Sequence, residues 1–197
     1  MADQPITVGR VLRSSTAGFS IGCRMLHENV PEFGAFVRVA QGNTQITGLI
    51  YDVQFVDDPL VRQIITADSM PEELRRDQAQ RLAPIEISVM VVGFARDGFV
   101  YQHLPPQPPE TLDQIVTCTP GEVVAFTREF AFLRTILNAQ EAPSDELAAA
   151  CLRIAAAARP ESDHRAFLLG AGRELARLLA GDPVRLEGIL RRIKPQP

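Results

Sequence analysis

PIEISVMVVGFARDGFVYQHLPPQPPETLDQIVTCTPGEVVAFT, residues 84–127, is the stretch on which the fold class turns. Residues 85–94 are a nearly unbroken apolar run rich in β-branched side chains. Such a run reads as a strand buried on both faces, or one that crosses a closed barrel. Asp97-Gly98 then predicts a tight turn, and Phe99-Val100-Tyr101 a short return strand. Residues 104–110 follow with Pro105, Pro106, Pro108 and Pro109. Four prolines in five positions remove four backbone donors, so the segment is neither helix nor central strand. It is expected to be a stiff extended strap. Further on, residues 115–118 and 122–126 read as short β pieces around a Pro120-Gly121 turn. A β element that leads into a rigid strap is packing or docking apparatus rather than a catalytic loop. Pro105, Pro106, Pro108 and Pro109 are therefore candidate partner contacts; the competing role is a connector across the barrel surface.

Upstream, residues 6–24 read as a hairpin whose turn, 14–18, is built of small residues. Residues 34–40 make a third strand and 44–56 a long fourth one. Gly48 within it predicts a bulge or bend, a common device for curling a sheet. Short strands at this spacing indicate a small antiparallel barrel or sandwich. Asp58 and Pro59 suit a helix start, and Ser69, Pro71, Glu72 and Glu73 a second one, giving a helical insert over about 58–82. From residue 128 the chain is rich in Ala, Leu and Arg. Helices are expected at about 127–139, 144–158, 162–180 and 183–193, with Leu147, Ala150, Cys151 and Ile154 on one apolar face. The fold class is α+β with two domains. Residues 1–127 form a β-barrel domain with the insert and the strap, and residues 128–197 an α-helical bundle.

Net charge is −4 and the pI about 5.4. The charge is uneven: residues 1–127 carry 9 Arg against 15 Asp and Glu, residues 128–197 carry 11 Lys and Arg against 9 acids. The acidic balance argues against a general nucleic-acid coat while allowing a local basic face. Cys23, Cys118 and Cys151 are far apart and odd in number, with neither metal spacing nor a disulfide framework. They read as small buried side chains of a reducing compartment. No basic segment followed by an apolar core opens the chain, and no apolar run approaches the ~20 residues of a membrane span. A cytoplasmic location is expected, with no membrane association and no cofactor.

Several short motifs resemble the HAS barrel, the small β-barrel named for HerA-like ATPases and the ATP synthase. They are Val8-Gly9-Arg10-Val11, Phe33-Gly34-Ala35-Phe36-Val37, Gly48-Leu49-Ile50-Tyr51-Asp52-Val53 and Val89-Met90-Val91-Val92-Gly93. Asp97-Gly98 and Leu104-Pro105-Pro106 follow in the family's order. The resemblance covers roughly the first two thirds of the chain. In the family a Pro-Pro strap with a nearby glycine leads into the motor domain; here Gln107-Pro108-Pro109-Glu110 stands in that stretch without the glycine. A HerA-like motor also needs a phosphate-binding loop ending in Gly-Lys-Ser/Thr. The only lysine is Lys194, preceded by Ile193, so the chain is not a self-contained ATPase. The resemblance implies a barrel that serves assembly and partner docking: a non-catalytic adaptor beside a HerA-like DNA translocase or its nuclease, compatible with homo-oligomers.

Other constellations are weighed against ordinary structural roles. His27-Glu28, Asp163-His164 and Asp57-Asp58 lack metal-ligand spacing, and Asp58 is explained by capping. Ser14-Ser15 reads as turn chemistry. Arg173, Arg177, Arg191 and Arg192 are candidate contacts to phosphate or to an acidic partner, with Glu174 and Glu187 interleaved as on a solvated face. Two alternatives to the adaptor remain at this level. One is direct nucleic-acid binding by the barrel or the C-terminal helices, for which 6% aromatic residues and no tryptophan leave few stacking platforms. The other is an enzyme whose site is assembled from distant residues.

Overall fold

A computed structural model describes residues 4–25, 30–55 and 83–194. The expected helical insert at 58–82 and His27-Glu28 lie outside the described residues. Seven strands come first: β1 (Thr7–Ser14), β2 (Gly18–Met25), β3 (Phe36–Gln41), β4 (Thr44–Phe55), β5 (Ala83–Arg96), β6 (Phe99–Tyr101) and β7 (Gln114–Thr117). Five described helices follow: α1 (Pro120–Phe126), α2 (Phe132–Leu137), α3 (Ser144–Ala157), α4 (Glu161–Leu178) and α5 (Pro183–Ile193). The strands run in the order β2-β1-β7-β3-β4-β5, all antiparallel, and β5 pairs back onto β2. The result is a closed six-stranded antiparallel barrel with β6 hanging on β5 as a hairpin arm. Closure removes the free edges that an open sheet of these strands would expose.

β5 joins the two halves of the core. Ile85, Ile87, Val89 and Val91 point into the barrel with Val11, Ile21, Val39, Ile46 and Ile115. Met90 and Val92 point outward into a second cluster, shared with Phe36 and Leu49 of the wall and with the helices. That is why the run shows no polar alternation: both of its faces are covered. The register slips at two places on the β4–β5 ladder, between Thr47 and Gly48 and between Ile50 and Asp52. The first places Val92 as an extra residue on β5, so Val92 faces the helices while Phe94 returns to the barrel interior. At Gly48 a Cβ would sit 2.4 Å from Val89 Cγ1.

The helices lie against the outside of the wall. α3 is their hub: Leu147, Ala148, Ala149, Ala150, Cys151, Leu152, Ala155 and Ala156 are all buried. A helix covered nearly all round must sit in the middle of its layer, and its alanines let neighbouring backbones approach. At Gly34, where the chain enters β3 at φ +85°, a Cβ would lie 2.6 Å from that of Ala150. Its N–H donates to Ile50 O at 2.8 Å.

Two sequence expectations are corrected. Residues 122–126 are not a strand but part of α1. Their Val-Val-Ala-Phe composition is overridden by a complete capping box, with Thr119 at the N-cap, Glu122 at N3 and Pro120 in the first turn. The helix expected over 127–139 exists only as α2, because Gln102 cuts into the chain there. Its Nε2 donates to Phe126 O at 2.7 Å and Glu129 O at 2.9 Å, and its Oε1 accepts from Phe132 N at 3.0 Å. One amide thus finishes α1 and starts α2. The remaining helices fall within two residues of their expected bounds.

Gly34→Ala is expected to lower stability by roughly 1–3 kcal/mol, since it adds both left-handed backbone strain and a clash with α3. Urea unfolding should show this as a lower midpoint.

Candidate functional site

The strap is fastened across one rim of the barrel. Ser14 Oγ, at the end of β1, donates to Pro109 O at 2.7 Å, and Gln41 Nε2, at the end of β3, donates to Pro108 O at 3.0 Å. Arg10 Nη1 holds Leu112 O at 2.8 Å, and Val11 exchanges backbone bonds with Leu112 and Asp113. Pro105 and Pro109 are buried, Pro108 is half-buried and Pro106 is exposed. Of the four candidate prolines, Pro106 is thus the one turned to solvent. Because prolines offer carbonyls but no N–H, the strap is read by side-chain donors from the rim.

Beside the strap, β6 forms the one sheet edge left open among the described strands. The hairpin turn has Asp97 at φ 51° and Gly98 at φ 81°, the two positive values that a two-residue primed turn demands. Arg96 and Phe99 close that turn, so Val100, opposite Ala95, is a non-hydrogen-bonded pair. Its N–H and C=O consequently point away from β5. Phe99 is 67% exposed, and Val100, Tyr101 and Leu104 are exposed as well. Tyr101 stacks on Phe94 with centroids 4.9 Å apart, and His103 meets both rings edge-on. The arm is therefore anchored by aromatic packing while its outer edge and apolar side chains face solvent.

The polar junction between barrel and helices is built on Glu122. Its carboxylate accepts from Arg38 Nε at 3.1 Å, Gln45 Nε2 at 3.0 Å and Thr119 N at 2.8 Å. Burial opposes its charge, but the Thr119 N–H, the Gln45 amide and the Arg38 guanidinium outweigh it and hold the carboxyl below its usual range. Next to it, burial and the Glu122 charge push the Cys118 thiol up to about 12. Burial likewise raises Cys23 and Cys151, the latter fully enclosed. All three thiols stay protonated at neutral pH and are poor nucleophiles.

The candidate arginines are largely engaged within the protein. Arg177 forms a two-pronged bond with Glu174 at 2.6 and 2.9 Å, Arg191 pairs with Glu187 at 2.5 Å, and Arg192 pairs with Glu146 and donates to Gly188 O. Arg173 is exposed. Ser15 Oγ is spent on Gly18, donating to its O and accepting from its N, as turn chemistry requires. His164 Nε2 lies 2.9 Å from Arg159 O. Among the described residues no three His, Cys, Asp or Glu gather as a metal site, and no helix is long and apolar enough to cross a membrane.

Sequence reasoning passed over Gln102 and Glu122, the residues that tie the parts together. Thr119-x-x-Glu122 was a legible capping signal; Gln102 has no local signature. In comparisons with known proteins, the chain matches no family model and no curated sequence.

Two outcomes test this geometry. Glu122 contributes stability that is present above its unfolded value near 4.3 and lost as pH falls through its lower folded value. Glu122→Gln should be less stable at pH 7, and the difference from wild type should shrink as the pH is lowered below about 4, as read by chemical denaturation. Separately, the thiols of the native protein should react with a disulfide reagent at pH 7 at least tenfold more slowly than those of the urea-unfolded chain.

Proposed function

We propose that the protein is a non-catalytic interaction and assembly module, an adaptor that docks a partner through the β5–β6 arm. The partner class implied by the resemblance to the HAS barrel is a HerA-like DNA translocase or its associated nuclease. In this reading residues 1–127 supply the docking barrel and residues 128–197 the helical part that braces it. The observation that carries it is the open edge at Val100, flanked by exposed Phe99, Tyr101 and Leu104. An edge with free backbone groups and apolar neighbours accepts a strand from another chain, with backbone bonds for affinity and side chains for selectivity. The closed six-stranded barrel is compatible with the resemblance and gives the arm a rigid base. Pro106, exposed on the fastened strap, extends the same surface.

Direct nucleic-acid binding through the arginines has less support, because Arg177, Arg191 and Arg192 already meet carboxylates.

Affinity capture from a native lysate, followed by mass spectrometry, tests the proposal. The intact protein should retain a translocase or nuclease. Val100→Pro blocks the outward donor while sparing the β5 pairing, and proline is tolerated at such an edge position. Together with Phe99→Lys it should cut capture about tenfold, about 1.4 kcal/mol of binding, with an unchanged melting temperature. Undiminished capture by both variants would remove the arm from the interface, and retention of no such partner would end the adaptor reading.

A further inference from the structure

A cleft of about 790 Å³ lies between the outer wall of the barrel and the helices, and reaches Leu104, where the strap begins, and Ser14, which fastens the strap. Its floor includes Ser20 of β2, Ser88 and Met90 of β5 and Tyr51 of β4. Leu104 and the segment of Thr135, Ala139, Gln140 and Glu141 border it. Strand alternation decides which side chains face the cleft. Phe19 and Ile21 point into the barrel, so Ser20 between them points out; Ile87 and Val89 do the same for Ser88. Ser20 and Ser88 sit directly opposite each other in the β2–β5 ladder, so their side chains are neighbours.

Ser20 is the unusual member. It is only 8% exposed, and its Oγ is buried with no hydrogen-bond partner. Buried hydroxyls are nearly always paired, and an alanine would avoid the cost of this one. A donor or acceptor entering the cleft from outside the chain would complete this hydroxyl. The charges around the cleft indicate what kind. Arg13 on one side is already bound to Glu86, whereas the exposed Glu141 on the other makes no ion pair with a described residue. The unspent charge is therefore negative, which disfavours phosphates and carboxylates and favours a cation.

We propose that this cleft binds an extended basic segment of a partner protein. Its backbone amides would pair with the Ser20 and Ser88 hydroxyls, and a lysine or arginine of the segment would face Glu141. A peptide amide offers both a donor and an acceptor, as a serine hydroxyl does, and Met90, Leu104 and Ala139 give its alternate side chains apolar contact. The inference rests on the reading of the protein as an interaction module, but it concerns a cleft that shares Leu104 with the arm surface and is testable without the partner.

The experiment is titration of the full chain with the capped pentapeptide acetyl-AAKAA-amide, followed by backbone amide NMR, with acetyl-AAEAA-amide as the control. The lysine peptide should shift the amides of Ser20, Ser88 and Gln140 and bind at least threefold more tightly than the glutamate peptide. Glu141→Lys should reverse that preference. Ser20→Ala should weaken binding of the lysine peptide at least fivefold without lowering the urea midpoint, since it removes an unpaired group. The proposal is overturned if the lysine peptide leaves those amides unmoved. It is equally overturned if Ser20→Ala destabilises the fold and leaves peptide binding unchanged, for Ser20 would then be structural. Neither result bears on capture through the β5–β6 arm, so failure here and failure of the adaptor reading are distinguishable.

Discussion

The protein depends on one strand being buried twice. β5 closes the barrel by pairing with both β2 and β4, and its outward residues Met90 and Val92 anchor the helical layer. Neither half of the core is complete without it. The interior cluster of the barrel needs Ile85, Ile87, Val89 and Val91, and the outer cluster needs a patch of wall against which Phe126, Phe132 and Ile136 can pack. Hydrophobic burial on two sides is non-directional, so it alone would not set the register. The bulges beside Gly48 and Tyr51 do that by fixing which residues of β5 face in and which face out.

Few polar contacts position the rest, and each joins elements far apart in sequence. Glu122 caps α1 while binding Arg38 of β3 and Gln45 of β4. Gln102 ends one helix and begins the next. Arg159 reaches Thr127 O and Oγ1 and lies over the ring of Phe167 with its guanidinium carbon 3.7 Å from the centroid. Arg185 meets Asp145, Ser144 and Leu137 O, tying the start of α5 to that of α3. These are charge-assisted or multiply bonded contacts, the kind that give orientation as well as energy.

What remains outward is correspondingly specific. The β5–β6 arm presents backbone and apolar groups on a base stiffened by the Phe94, Tyr101 and His103 rings. The cleft on the barrel wall is bordered by Ser88 and the exposed Glu141. A strap of prolines is bonded to both β1 and β3 at the rim between strand ends. Rigid surfaces with small open features suit recognition, because little ordering entropy is lost when a partner binds.

The sequence by itself determined the antiparallel strands, the hairpin turn at Asp97-Gly98, the bend at Gly48, the extended strap and helices α3, α4 and α5. Those features follow from local chemistry: side-chain period, proline's missing donor, glycine's backbone freedom and capping residues. Only the tertiary structure decided that the sheet closes and that residues 122–126 are helical despite their β-prone composition. It also decided that the candidate arginines are largely neutralised and that Ser20 is left unpaired above a cleft. The reason is the same in each case. Closure, the layering of helices on the wall, and the partner of a charged or hydroxyl group are set by residues tens of positions away, as Gln102 is for α1 and α2 and Glu146 for Arg192. No periodicity or spacing within a single segment encodes such a pairing.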